Sequence, residues 1–158
     1  MQFGFYYNKR KTIQALRYHF IAKKEIRLLI IVVNIFAIAS AILFYFKKIR
    51  PEYFLLGSVL WLLIMLAIWY IMPYSVYNKT DMFQQHFIVQ FTTNKLILES
   101  EAGTAEWAWQ KFQHYTESPN FFHLYFNAKS FLLIPKDEIG DEMRHDIRGI
   151  LRQIKKTS

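Results

Sequence analysis

Two stretches of this chain carry no charged side chain, and they limit the rest more than any other feature. Residues 28–46 read LLIIVVNIFAIASAILFYF and residues 53–72 read YFLLGSVLWLLIMLAIWYIM, 19 and 20 residues long. At about 1.5 Å of rise per residue, each covers about 30 Å as a helix, the hydrocarbon thickness of a bilayer. Within hydrocarbon every backbone N–H and C=O must be satisfied inside the segment, so a spanning stretch of this kind is helical. A core helix of a soluble domain is the alternative, but a chain of 158 residues has little interior in which to hide two helices that are apolar all round. Ala39 and Ala41 mimic a signal-peptide cleavage pattern, yet the basic leader is long and the apolar run continues after Ala41 through LFYF. A retained anchor is therefore expected.

The linking stretch, KKIRPE at 47–52, is too short for anything but a tight turn. The two spans then form an antiparallel hairpin with both tails on one side. Lys9, Arg10, Lys11, Arg17, Lys23, Lys24 and Arg27 precede the first span, and Lys79 and Lys95 follow the second; the turn holds Lys47, Lys48 and Arg50. Nine cations against three predicts a multi-pass cell-membrane protein with cytoplasmic N- and C-termini. The net charge of +8 is thereby read as an attraction to anionic headgroups, each of Arg17, Lys23, Lys24 and Arg27 contributing about 1 kcal/mol near the surface. Asn34, Ala37 and Ala41 share one face of the first span at i, i+3, i+7. Small residues and one amide there predict packing on the second span near Gly57 and Ser58. Neither span holds Asp, Glu, Lys, Arg or His, which speaks against a transport path through them.

Three segments follow. Residues 1–27 read as a basic cytoplasmic leader whose part 12–23 is an amphipathic helix with Ile13, Leu16 and Phe20 on one stripe, lying on the leaflet or packing on the soluble part. Residues 28–72 are the hairpin. Residues 73–158 read as a β module: HFIVQFTT (86–93) and KLILESE (95–101) form a hairpin about Asn94, TAEWAWQKFQHYTE (104–117) adds a strand or two, and SPN (118–120) is a loop. Next, Phe122, Leu124 and Phe126 alternate with Phe121, His123 and Tyr125, NAKS turns, and residues 131–134 run to Pro135. Asp141 suits an N-cap, and Met143, Ile147, Ile150, Leu151 and Ile154 make the apolar stripe of a closing helix, with Arg144, Arg148 and Arg152 opposite. Lys155 and Lys156 suit that helix's negative end. The expected fold class is an α+β membrane protein: a transmembrane helical hairpin followed by a small antiparallel β roll or partial barrel, capped by an amphipathic C-terminal helix.

WQKFQHYTE, FFHLYF and FLLIPKDEI, in that order before a short last helix, resemble the YcxB-like family of bacterial membrane proteins. In that family a tryptophan and a following apolar residue precede a hairpin ending in an Ile-Pro-Lys signature; Trp109 and Phe112 match the first part and Ile134, Pro135 and Lys136 the second. The family shows an acidic residue in its N-terminal segment, where this chain has NKRKT. The resemblance implies a module similar to pleckstrin-homology domains and makes these five residues candidate interaction or motif positions. It implies no reaction.

The residues themselves supply no reaction either. The five histidines (19, 86, 114, 123 and 145) show no zinc-ligand spacing, and cysteine is absent. Among five glycines there is no phosphate loop and no nucleophile elbow. Glu142 and His145 read as a surface pair. Trp107, Trp109, Phe121 and Phe122 beside Lys111 could stack bases, but residues 73–143 hold five Lys against nine Asp and Glu, so nucleic acid is not expected. The sequence thus points to a non-enzymatic, membrane-anchored adaptor without cofactor or small-molecule substrate, bound to anionic lipid and an unidentified protein partner and compatible with self-association. The alternative is a small bacterial regulatory or self-protection (immunity-type) protein whose hairpin engages an intramembrane partner.

Overall fold

A computed structural model describes residues 1–154, so the expectation for Lys155 and Lys156 lies outside the described residues. The chain divides into two compact units: Met1–Ala15 together with the chain from Thr80 onward, and Leu16–Lys79.

The first unit opens with a strand, β1 (Gln2–Tyr6), where the sequence suggested only leader. It pairs antiparallel with β2 (His86–Phe91), placing Phe3 opposite Val89 and Phe5 opposite Phe87. Met1 extends the ladder, its carbonyl accepting from the Phe91 N–H at 2.7 Å and its ammonium donating to the Phe91 carbonyl at 3.0 Å. β3 (Lys95–Ser100) and β4 (Gly103–Ala108) follow, giving a four-stranded antiparallel sheet in the order β1-β2-β3-β4. Alternation is clean in β2, where Phe87, Val89 and Phe91 are buried and their neighbours are half-buried, as period-2 patterning requires. At the β3–β4 turn Gly103 takes φ of 134°, a conformation closed to most side chains.

The 104–117 stretch divides at a 3-10 turn, Trp109–Lys111, which ends β4 and precedes β5 (His114–Glu117). β5, β6 (Phe121–Tyr125) and β7 (Phe131–Pro135) make a second, three-stranded antiparallel sheet. The expected roll is therefore two antiparallel sheets, four strands and three, and not a closed barrel. All five residues of β6 are buried, whereas alternation predicted one wet face. As the middle strand it is flanked by β5 and β7, and both its faces are covered.

The closing helix is Asp141–Leu151; Gly140 occupies the N-cap, so Asp141 is the first helical residue and holds Arg144 at 2.8 Å instead of capping. Ile147 and Leu151 are fully buried, and Ile154 is buried just beyond the helix end.

The N-terminal segment is tied into this unit by more than the ladder. The Tyr7 hydroxyl donates to the Leu133 carbonyl at 2.7 Å, and burial pushes that phenol above its ordinary pKa. The side chain of Lys11, in the first turn of helix α1 (Lys9–Ala22), meets Asp137 at 2.8 Å. Asn8 caps that helix, its Oδ1 accepting from the Lys11 N–H at 3.3 Å.

The second unit carries helix α2 (Lys24–Tyr45), the turn, helix α3 (Pro51–Leu66), one π-helical turn (Ala67–Ile71) and helix α4 (Met72–Lys79). Pro73, placed by composition at the start of the β module, is inside α4. α2, and the continuous stretch Pro51–Lys79, are both long and apolar enough to cross a membrane. α2 ends in a Schellman motif: the Lys48 N–H bonds the Leu43 carbonyl at 2.8 Å and the Lys47 N–H the Phe44 carbonyl at 2.9 Å. The left-handed position of that motif, φ of 55°, is occupied by Lys47 where glycine is the favoured residue. Pro51 at the first helical position and Glu52 beside it start α3 favourably.

Candidate functional site

Two places gather the residues singled out by the sequence. The first lies where β7 hands over to the closing helix. Pro135 ends the strand, and Lys136, 8% exposed, donates its backbone N–H to the Asn120 carbonyl at 2.9 Å. Its carbonyl accepts from Arg144 Nε and Nη2 at 3.2 and 2.9 Å. Its ammonium reaches Glu117 Oε1 at 3.0 Å and lies 5.4 Å from the centre of the Phe122 ring. Arg148 grips the same carboxylate in a two-pronged contact, Nη2 to Oε1 at 2.6 Å and Nε to Oε2 at 3.1 Å. Glu117 therefore neutralises a buried lysine and anchors the closing helix to β5 at once.

These charges hold the carboxyl of Glu117 down near a pKa of about 2. The Arg148 hydrogen bonds contribute most; burial works against them, and Lys136 adds to them. Glu117 raises the Arg148 guanidinium in turn. A depressed carboxylate pKa stabilises the fold in full above the unfolded value near 4.5 and loses that contribution as pH falls towards 2. The protection of residues 141–151 against hydrogen exchange, taken relative to the intrinsic exchange rate at each pH, is accordingly expected to fall between about pH 4.5 and pH 2 in the parent chain, and to lose that pH step in a Glu117→Gln variant.

The other motif residues are also interior. Trp109 is 2% exposed, donates Nε1–H to the Thr92 carbonyl at 3.0 Å and stacks on Phe91. Phe112 stacks on Phe126, and Ile134 is fully buried. Trp109, Phe112, Ile134, Pro135 and Lys136 hold sheets and helix together and present little surface to a partner. Glu117, the centre of the cluster, is singled out by no motif in the sequence. Its position opposite Phe122 in the β5–β6 register is a pairing that no local pattern encodes.

The second place is the helical hairpin. Asn34 Nδ2 donates to the Ile30 carbonyl one turn back at 2.7 Å, while its Oδ1 accepts from the Trp61 indole N–H at 3.4 Å. The amide thus meets a tryptophan from the facing helix, one turn beyond the Gly57 and Ser58 expected there. Gly57 lies against Ser40, whose Oγ would be 3.9 Å from a Cβ at that position. Near the turn Phe44 and Phe54 stack at 4.4 Å with rings 9° from parallel. Ala37, Ser40, Ala41, Gly57, Ser58 and Trp61 line part of an apolar groove of about 430 Å³ between α2 and α3. Changing Asn34 to leucine is expected to destabilise the hairpin by about 1 kcal/mol and to shift the Trp61 indole N–H resonance, readable by NMR in micelles.

The leader cations separate. Arg17 Nε donates to the Trp69 carbonyl at 2.8 Å and the guanidinium lies 5.2 Å from the Tyr70 ring centre, both residues of the π turn. A π turn disturbs the regular carbonyl pairing of a helix, and Arg17 bonds one of its carbonyls. Lys23 Nζ sits 5.4 Å from the Phe20 ring centre, whereas Lys24 and Arg27 are exposed. His19 is buried, which lowers its pKa to about 4 with help from Lys23, so it is neutral at pH 7. Among the described residues no group of three or more His, Cys, Asp and Glu side chains could hold a metal ion.

These features define an α+β chain in which two long apolar helices accompany an antiparallel β unit closed by a short helix. Residues 91–151, from the end of β2 through the closing helix, match the family model described as YcxB-like protein. The matched stretch contains Trp109, Phe112, Ile134, Pro135 and Lys136. No curated protein and no solved structure matches it.

Proposed function

We propose that this protein is a non-enzymatic adaptor anchored in the cell membrane, its hairpin spanning the bilayer and its β unit held at the cytoplasmic leaflet to bind a protein partner. The observation that carries the reading is the surface of α2 and α3. Phe36 is 73% exposed, Leu56 66% and Leu55 65%, and neither helix contains a buried residue. Soluble monomers rarely expose contiguous apolar patches beyond a few hundred Å², so lipid is the medium that fits such helices. The excess of cations on the tails supports cytoplasmic termini. Seven strands in sheets of four and three with one C-terminal helix support the finer reading of the β unit as pleckstrin-homology-like. Tethering would raise the effective concentration of that unit towards anything else on the leaflet.

The chain has no cysteine, so single introduced thiols report topology without interference. Glu52→Cys is expected to react with a membrane-impermeant maleimide added to intact cells, and Lys79→Cys only after permeabilisation. Labelling of Lys79→Cys in intact cells would reverse the orientation. Extraction of the chain by alkaline buffer alone would remove the anchor.

The apolar groove on the hairpin favours a second reading, in which the partner lies within the membrane and the protein is regulatory or protective. Replacing both helices by unrelated apolar ones separates the two: an adaptor keeps its cellular effect, an intramembrane binder loses it.

A further inference from the structure

The groove between α2 and α3 does not stand alone. Ala41 and Phe54 line it, and both also line a second cleft at the turn, whose other walls include Lys47, Lys48 and Arg50. The apolar groove along the hairpin therefore adjoins, across shared walls, a cleft rimmed by cations. The groove, about 430 Å³, lies within the range of ordinary ligand sites of about 300–1,000 Å³. The three cations are exposed and none is in an ion pair among the described residues; Glu52, the one carboxylate near them in sequence, does not line that cleft.

The charges in the turn have no account in the topology, since three cations on the far side weaken the asymmetry that orients the hairpin. The backbone deepens the puzzle. Lys47 occupies a left-handed position, φ of 55°, where glycine would be relaxed and a side chain is strained. Positions that break a local rule are expected at functional or strained sites, and this one places a cation at a cleft.

We infer that the hairpin holds one anionic phospholipid, an acyl chain in the groove of α2 and α3 and the phosphodiester at Lys47, Lys48 and Arg50. The occupant is set by charge and shape together: a zwitterionic lipid fills the groove but loses the net attraction, and a water-soluble phosphate fits the cleft but leaves the groove empty. Ala41 and Phe54 stand where headgroup region and chain meet. The inference rests on the membrane reading of the hairpin.

The test is native mass spectrometry of the full-length protein in detergent, titrated with phosphatidylglycerol or with phosphatidylcholine of the same chains. Phosphatidylglycerol is expected to be retained preferentially, by about fivefold for each cation that contributes. Lys47→Gly relaxes the turn, so it leaves folding intact, and it is expected to cut that preference about fivefold. Ala41→Phe, which plugs the junction and leaves every charge in place, is expected to lower retention of both lipids. Glycerol phosphate, the headgroup without chains, is expected not to compete. Equal retention of the two lipids, or an undiminished preference in the Lys47→Gly, Lys48→Ser, Arg50→Ser triple variant, overturns the inference while leaving the anchor standing. A chain that leaves the membrane in alkaline buffer overturns both.

Discussion

Glu117→Leu is expected to destabilise the β unit by about 3–5 kcal/mol, the cost of leaving a buried charge without its partner. The charge left behind is that of Lys136, whose side chain is 10% exposed; the Arg148 side chain, 45% exposed, can turn to water. The consequence is asymmetric. Lys136→Met keeps Glu117 paired with Arg148 and is expected to cost about 1–2 kcal/mol. The double variant, which removes the carboxylate and the buried ammonium together, is expected to recover most of the loss, because an apolar pair can replace a buried ion pair at little cost. Chemical unfolding of full-length protein in micelles, with hydrogen exchange at residues 114–117 and 141–151 to localise the effect, gives all three values. If Lys136→Met proved as costly as Glu117→Leu, the carboxylate would not be the shared anchor that the geometry makes it.

The second large effect concerns the first six residues. Phe5 is 2% exposed, stacks on Phe87 at 5.9 Å and meets Tyr7 edge-on at 5.2 Å, and β1 completes the ladder along β2. Phe5→Ala is expected to cost about 3–5 kcal/mol, the usual range for a buried phenylalanine. Deleting residues 1–6 opens the whole β2 edge and is expected to abolish folding of the unit and to produce edge-to-edge aggregation. It follows that a fragment beginning at Pro73 is the wrong piece with which to look for partners. Joining Met1–Ala15 through a flexible Gly/Ser linker to Thr80–Ser158, with the hairpin left out, is expected to give a soluble folded domain. A sharp, dispersed NMR spectrum from the linked form and a collapsed one from Thr80–Ser158 alone would establish the point. Equal folding of the two would show β1 to be dispensable.

Both effects bear on function through the same route. The residues most recognisable in the family-matched stretch, Trp109 and the Ile134-Pro135-Lys136 run, are spent on the interior. On the proposed function, a partner of the β unit must therefore be met by other positions, and variants of the motif are expected to act through the fold. A readout of stability beside any binding assay separates these cases.

Legibility varied with the range of the interaction. The two apolar helices are visible in the sequence because each is a long run without charge, and the β2–β3 hairpin about Asn94 and the apolar stripe of the closing helix because they repeat every two or about 3.6 residues. Their partners are near in the chain, so local pattern is enough. β1 was not visible. QFGFY is a short alternation with nothing beside it to pair with, and its partner lies beyond the whole hairpin, some 80 residues on. The same limit hid Glu117, whose three cationic contacts come from Lys136 just after β7 and from Arg148 on the closing helix. It hid Trp61 as the acceptor-seeking partner of Asn34, because hairpin register depends on how the turn is wound.

What the amino-acid sequence determined alone was composition and periodicity: which segments are long and apolar, which alternate, which wrap as amphipathic helices, and where cations accumulate. Those properties belong to single residues and their near neighbours, so they survive without knowledge of the fold. Tertiary structure decided which strand closes the four-stranded sheet, which carboxylate neutralises the buried lysine, and that a glycine-like backbone position in the turn is held by a cation beside an apolar groove. Each of these is a meeting of distant or differently oriented groups. Its free energy comes from burial and pairing after the chain has closed on itself, and no window along the sequence contains both participants.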